Sequence, residues 1–302
     1  PREVFGPVLH VLRYRREQLA ELIDAVNATG YALTCGIHSR IDETIEFIAS
    51  RIRAGNVYVN RNMIGAVVGV QPFGGQGLSG TGPKAGGPWS VPRLRQAATL
   101  LAIAPKWLGA KRVGPPPAEL GDLESWLLER GDEVLLRICQ AYAIETPIGC
   151  RFDLPGPTGE SNILQYRRRG RVLCLNADHN VDQRTLLFQL AAVVASANRA
   201  VLPEDPVLRA ALDALPPSVQ ACVDWTEDWH QQAFDVVLLA GGDAESARVV
   251  RRELAQRSGA RVALLRPVAG RYALDRLVAE QVVTTNTAAA GGNATLMSLQ
   301  PV

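Results

Sequence analysis

The sequence predicts an α/β protein in two units, a parallel-rich sheet unit over 1–104 and a doubly wound, Rossmann-like unit over 121–302, with a linker at 105–120. Three observations predict this. Apolar, β-branched runs alternate with helically spaced apolar residues, first over 8–60 and again over 171–280. A Pro/Gly-rich stretch, APKWLGAKRVGPPPAEL at 104–120, separates the two alternations. With 302 residues, 47% of them hydrophobic, the chain can fill two modest cores.

Taken in order, residues 8–14 (VLHVLRY) read as a strand. Residues 16–29 place Leu19, Leu22, Ile23 and Val26 at helical spacing before Gly30. A short strand is expected at 31–39, an amphipathic helix over 41–54 closed by Gly55, and a strand at 57–60, giving β-α-β-α-β and a largely parallel sheet. Residues 69–88 are too glycine-rich for an element interior and predict a shaped loop. Past the linker, helical patterns cover 121–143 and a turn-rich LPGPTGESN covers 154–162. Strands at 171–176, 199–202, 234–239 and 261–265 then alternate with helices at 181–197, 206–214, 243–257 and 271–280, the doubly wound pattern.

Charge excludes some functions. Thirty-two basic against thirty acidic residues leave a formal charge of +2 with the signs interspersed, so neither nucleic acid nor an anionic membrane is called for. The triplet Arg167-Arg168-Arg169 reads as a solvated turn before a strand. Five scattered cysteines without C-x-x-C spacing point to a reduced, cytoplasmic setting. No metal is expected, because His10, His38, His179 and His230 lack ligand spacing. There is no apolar run of about 18 residues, as a membrane helix needs. The start at Pro1, without Met and directly before EVFGP, is expected for a segment of a longer chain.

Two strings carry chemistry. In Glu3-Val4-Phe5-Gly6-Pro7 a carboxylate can bond ribose hydroxyls while the ring packs on a nicotinamide face; a plain turn with Glu3 solvated and Phe5 in the core is the competing reading. In Gly65-Ala66 through Gly74-Gly75, continuing into SGTGPKAGGP, glycines let backbone amides approach a carboxylate closely. No Walker Lys-Ser/Thr follows, so phosphate cradling is disfavoured. In the second unit, Ala240-Gly241-Gly242-Asp243 after a strand imitates a dinucleotide turn but lacks the full glycine fingerprint and a ribose-binding acid.

EVFGP, GIHSR at 36–40, VYVNRN at 57–62 and QPFGG with SGTGPKAGGP together resemble the aldehyde dehydrogenase superfamily. More narrowly they are similar to the 1-pyrroline-5-carboxylate (L-glutamate γ-semialdehyde) dehydrogenases of the bifunctional proline utilization A family, whose C-terminal domain LPGPTGESN and VTTNTAAAGGNATLM also resemble. The resemblance implies NAD-dependent oxidation of L-glutamate γ-semialdehyde to L-glutamate. A cysteine nucleophile and a general-base glutamate are expected upstream, so no catalytic residue is assigned here and the chain by itself is expected to be inactive. It places NAD contacts on Glu3 and Phe5, the aldehyde-anchoring amides on Gly65 and Ala66, and the ring against the substrate's aliphatic chain on Phe73. FAD belongs only to the proline dehydrogenase portion, absent here. The second unit becomes a degenerate NAD-binding copy acting as a non-catalytic lid, with a tail at 288–295 that docks on the first. The remainder of the dehydrogenase domain is the implied partner, a homo-oligomer is compatible, and the parent is cytoplasmic or peripheral at the inner membrane face.

A structural or assembly module without turnover is the reading from another class; upstream sequence bearing a cysteine nucleophile and an NAD-binding βαβ unit separates the two. A third reading, in which residues 105–302 bind a dinucleotide alone, predicts saturable NAD binding by that piece. Cys35 lies in a predicted strand as a small buried residue, and the other cysteines lack a histidine partner.

Overall fold

A computed structural model describes residues 3–94, 110–178 and 183–288. The first helix, α1 (Leu19–Ala28), follows a 3-10 turn and buries Ile23; Gly30, at φ +78°, ends it. The expected strand at 31–39 forms as two pieces, β1 (Tyr31–Ala32) and β2 (Thr34–Ile37). α2 (Asp42–Arg51) then leads to β3 (Asn56–Val59), whose four residues are all buried. The glycine-rich loop contributes only β4 (Gln76–Gly77), antiparallel to β1.

The expected strand at 8–14 does not form. Residues 3–14 run without regular structure and expose Leu9, Val11 and Leu12. A strand needs a partner for its amides, and none pairs with this run among the described residues.

After β5 (Lys111–Arg112), helices α3 (Ala118–Arg130) and α4 (Glu133–Glu145) are separated by Gly131, left-handed at φ +70°. The 154–162 turn joins a hairpin, β6 (Cys150–Leu154) with β7 (Glu160–Arg168), which the sequence reading missed. Next come β8 (Arg171–Asn176), α5 (Gln183–Ala195), β9 (Arg199–Pro203), α6 (Pro206–Asp213), α7 (Pro217–Gln220) and β10 (Val223–Thr226). β11 (Val236–Ala240), α8 (Ala244–Ala255), β12 (Ala263–Leu265) and β13 (Val278–Asn286) complete the order. Parallel β8 to β12 form a five-stranded sheet in the order β10-β9-β8-β11-β12, which is the doubly wound order. α5 is apolar on nearly all sides and is buried in the core of this sheet with Leu120, Leu127 and Leu135 from α3 and α4.

The helix expected at 271–280 is also corrected. It is a 3-10 turn (Leu274–Arg276) followed directly by β13, where Val278, Val282, Val283, Thr284 and Thr285 favour extended backbone. β13 is the centre of a mixed six-stranded sheet, β2-β3-β13-β7-β6-β5, so the sheet expected to be largely parallel is antiparallel over half its width. Its strands come from both sides of the 105–120 stretch. Of the expected docking tail only Ala288 is described, and 289–295, like 105–109 of the linker, lie outside the described residues.

Gln281 fixes this junction. Completely buried, it donates from Nε2 to the carbonyls of Ile52 and Ala54, each at 3.1 Å, and accepts at Oε1 from Gln165 (2.9 Å) and Arg167 (3.1 Å). The Val282 amide bonds Gly55 O at 2.9 Å. A side chain at Gly55 would meet Gly74 O at 2.1 Å, so the residue directly before β3 must be glycine; α2 itself is capped earlier, at Ile52. Gln281→Leu leaves two buried carbonyls without donors, and urea unfolding is expected to show a loss of roughly 2–4 kcal/mol; an unchanged midpoint would contradict the pinning role.

Candidate functional site

The loop after β3 is shaped by buried polar side chains. Asn56 donates to Pro72 O at 3.0 Å and accepts at Oδ1 from the Gly74 amide (3.3 Å) and from Lys84 Nζ (2.7 Å), so one side chain holds both flanks of Phe73. Phe73 and Ala85 exchange backbone bonds of 3.1 and 2.9 Å. Lys84, 2% exposed, also donates from Nζ to Gly74 O, and its amide donates to Glu280 Oε2 at 2.7 Å. Burial lowers the Lys84 pKa to about 8, with Glu280 opposing the shift. Burial also pushes the Glu280 carboxyl up, against the Lys84 amide and charge, and its Oε1 has no partner among the described residues.

A second network holds the loop at 64–71. Gln71 accepts from the Val67 amide at 2.7 Å and donates to Glu160 Oε1 (2.7 Å) and Asn162 Oδ1 (3.0 Å). Glu160 pairs with Arg61, and Asn162 accepts from Thr284 Oγ1 at 2.7 Å. Loop, β7 and β13 are thereby joined.

Between these networks lies a cleft of about 500 Å³. Gly65, Ala66 and Phe73 line it together, with Leu154 and Pro155 from the β6–β7 turn. Among the described residues no ionisable side chain lines it, and neither the Gly65 nor the Ala66 amide donates to a protein acceptor. Two free amides beside an aromatic ring suit a ligand with a carboxylate on an aliphatic chain.

The three residues expected at the anchor are thus neighbours. Glu3 and Phe5 are not among the cleft residues; both lie in the exposed segment before α1, Phe5 being 97% exposed. The sequence reading missed Asn56, Gln71, Lys84 and Asn162, whose only signal was a polar residue inside an apolar or glycine-rich run. It also missed Leu154 and Pro155, which need the hairpin to be known first. The Arg triplet is corrected too. Arg167 and Arg168 end β7, and Arg169 has a buried Nε, unpartnered among the described residues, rather than a solvated one.

None of the five cysteines is prepared as a nucleophile. Burial raises the pKa of every one, to about 12 for Cys139, where Glu124 and Asp132 add to it. Cys35, Cys150, Cys174 and Cys222 direct their thiols at backbone carbonyls, Cys35 at Gly36 O over 3.9 Å. A thiolate needs the opposite setting, a cation or a helix N-terminus. His10, His38 and His230 are exposed, His179 lies outside the described residues, and no group of metal-ligand residues gathers among those described.

The imitation dinucleotide turn is occupied by the chain itself. Asp178 accepts the Gly242 amide at 3.0 Å, Asp243 caps α8 by accepting the Ser246 amide at 2.8 Å, and Arg266 covers the carbonyls of Gly241, Gly242 and Asp243. A side chain at Gly241 would meet Asp178 at 2.2 Å and Asn176 at 2.6 Å. Carboxylates stand where a pyrophosphate would have to lie.

Residues 1–99 match the model of the aldehyde dehydrogenase family. The chain is similar to the bifunctional protein PutA of Rhizobium meliloti, 44% identical over 305 residues, which is 99% of this chain and 24% of that protein. It is also 42% identical to the 1-pyrroline-5-carboxylate dehydrogenase of Geobacillus thermodenitrificans over 86 residues, 28% of this chain and 16% of that one. A structure of proline utilization A from Corynebacterium freiburgense superimposes with a TM-score of 0.52 at 23% identity, covering 89% of this chain and 24% of that chain, which shows a shared fold. The chain thus spans about a quarter of the length of the PutA relatives it matches.

The Lys84 site makes stability depend on pH in a defined direction. Between about pH 8 and its ordinary 10.5, the unfolded chain holds a proton that folded Lys84 has released, so its contribution to stability rises with pH across that window. Lys84→Met is expected to remove that rise and to lower the urea midpoint at pH 7 through the lost bonds to Asn56 and Gly74. An unaltered slope between pH 8 and 10 would refute the assignment.

Proposed function

Residues 1–99 belong to the aldehyde dehydrogenase family, and from that premise we propose that the chain forms the substrate-carboxylate side of an L-glutamate γ-semialdehyde (1-pyrroline-5-carboxylate) dehydrogenase. The enzyme would use NAD and act in proline catabolism. The observation that carries the reading is the cleft in which the free amides of Gly65 and Ala66 stand beside Phe73. The amides bind the α-carboxylate without a counter-charge, and the ring covers the methylene chain, fixing which end of the substrate reaches the reacting centre. Gln71 and Asn56 hold these groups in place before substrate arrives.

The nucleophile is assigned to the remainder of the dehydrogenase domain. Supporting this are the five inert thiols, the exposed apolar run before α1, and β2, which pairs only with β3 among the described residues. A domain that continues beyond β2 would cover that edge. Glu3 and Phe5, exposed and uncommitted, fit a cofactor brought by that remainder, Glu3 for a ribose hydroxyl and Phe5 for the nicotinamide face. NAD, when bound, accepts the hydride. FAD belongs to the proline dehydrogenase portion of the bifunctional relatives, outside this chain, and a cytoplasmic setting accords with five unpaired thiols. The doubly wound sheet serves as scaffold, with its turn filled by its own side chains, while β7 and β13 of the mixed six-stranded sheet carry the Gln71 network.

The test is NADH formation from L-glutamate γ-semialdehyde by this chain and by one extended upstream through the rest of the dehydrogenase domain. Activity is expected only in the extended protein, and turnover by the short chain would sink the assignment, with Cys35 the first residue to replace. In the extended enzyme, Ala66→Pro, which deletes one amide, is expected to raise KM for the semialdehyde roughly tenfold or more, with a smaller change in kcat. Phe73→Ala should raise KM more for the semialdehyde than for a short aldehyde lacking the carboxylate.

A further inference from the structure

Alongside β12, an edge strand of the five-stranded sheet, lies a cleft of about 710 Å³. α8 and the segment after it form one wall, and Thr81 and Gly82 of the glycine-rich loop face it. Among the described residues five arginines line it, Arg169, Arg251, Arg257, Arg261 and Arg276, and no aspartate, glutamate or lysine does. Composition does not explain this, since the chain has 32 basic and 30 acidic residues.

These guanidinium groups are uncommitted to carboxylates. Among the described residues Arg169, Arg251, Arg261 and Arg276 make no ion pair, while Arg257 is held by the carbonyls of His230 and Gln232 and lies 4.3 Å from the Phe234 ring centre. Arg251 has alanines at i−4 and i+4, so α8 offers it no acidic neighbour at those positions. Arg169 Nε is buried without a partner among the described residues, and burial, followed by Arg93, lowers the pKa of this guanidinium. The nearby acids are engaged: Asp275 with Arg93 and Asp235 with the Arg171 amide. The chain outside the described residues holds one acidic side chain, Asp182.

We propose that this cleft binds a phosphorylated small molecule of nucleotide size, its phosphates held by Arg169, Arg251, Arg261 and Arg276 and its organic part against Leu254, Val262 and Leu264. The use of arginine throughout suits bidentate, planar recognition of phosphate oxygens. The volume lies within the range of roughly 300–1,000 Å³ for small-molecule pockets. An extended acidic peptide added to β12 is the rival occupant, disfavoured because β12 offers only three residues for pairing.

The experiment is calorimetric titration of the 302-residue chain with ATP and with pyrophosphate at about 50 and 200 mM salt. Saturable one-site binding is expected for both, tighter for ATP, with Kd below about 1 mM at the lower salt. Arg251→Gln and Arg261→Gln, both at exposed positions, should each weaken binding roughly tenfold with unchanged thermal unfolding. Any one of four results overturns the proposal: no saturable binding of either probe, sulfate binding as tightly as pyrophosphate, undiminished binding in the Arg251→Gln/Arg261→Gln double variant, or a glutamate-rich peptide outcompeting ATP.

Discussion

The placement of β13 between β3 and β7 is the constraint on which the rest depends. β3 is short and wholly buried, so it must be flanked on both sides. β2 covers one side in parallel, and β13, arriving more than two hundred residues later, covers the other. A parallel pair from such distant segments cannot be fixed by a turn. It is fixed instead by Gln281, whose amide satisfies two carbonyls leading into β3 while its oxygen is held from β7. A slip of one residue would strand those carbonyls and turn Val282 away from the core.

The cleft inherits its rigidity from that placement. Thr284 reaches Asn162, which reaches Gln71, which holds Val67; Glu280 receives the Lys84 amide, and Lys84 with Asn56 holds Gly74. Both series of bonds begin on β13, one ending at Val67 and the other at Gly74 beside Phe73, so a loop rich in glycine becomes a fixed surface. Burying Lys84 is costly for a full charge, and its lowered pKa reflects that cost. Three acceptors or neighbours within reach, Asn56, Gly74 and Glu280, offset it.

What was legible in the sequence follows from interaction range. Most of the strand–helix alternation from 171 to 257 was readable because its elements carry their own periodicity, although the short α7 and β10 between 217 and 226 were not read, and Gly65, Ala66 and Phe73 were readable as a motif. The strand at 278–286 was not, because Tyr272, Leu274, Leu277 and Val278 imitate a helical stripe and only β3 and β7 resolve the ambiguity. The β6–β7 hairpin was hidden behind a turn recognised for its prolines. Arg169 was misread because a triplet of arginines reads as solvated until the fold folds one of them inward.

The failed strand at 8–14 shows the same rule from the other side. Its residues favour extended backbone as strongly as those of β13, yet one run forms the centre of a sheet and the other stays exposed. Propensity is similar in the two; the difference is a partner. β2, by contrast, has backbone groups facing away from β3 that no described strand satisfies. An unpaired β-rich run and an unpaired edge are one unmet requirement, and pairing with further strands would satisfy both. The cleft does not wait on that completion, because the side-chain bonds that shape it come from β3, β7, β13 and the loop itself, not from the open edge of β2.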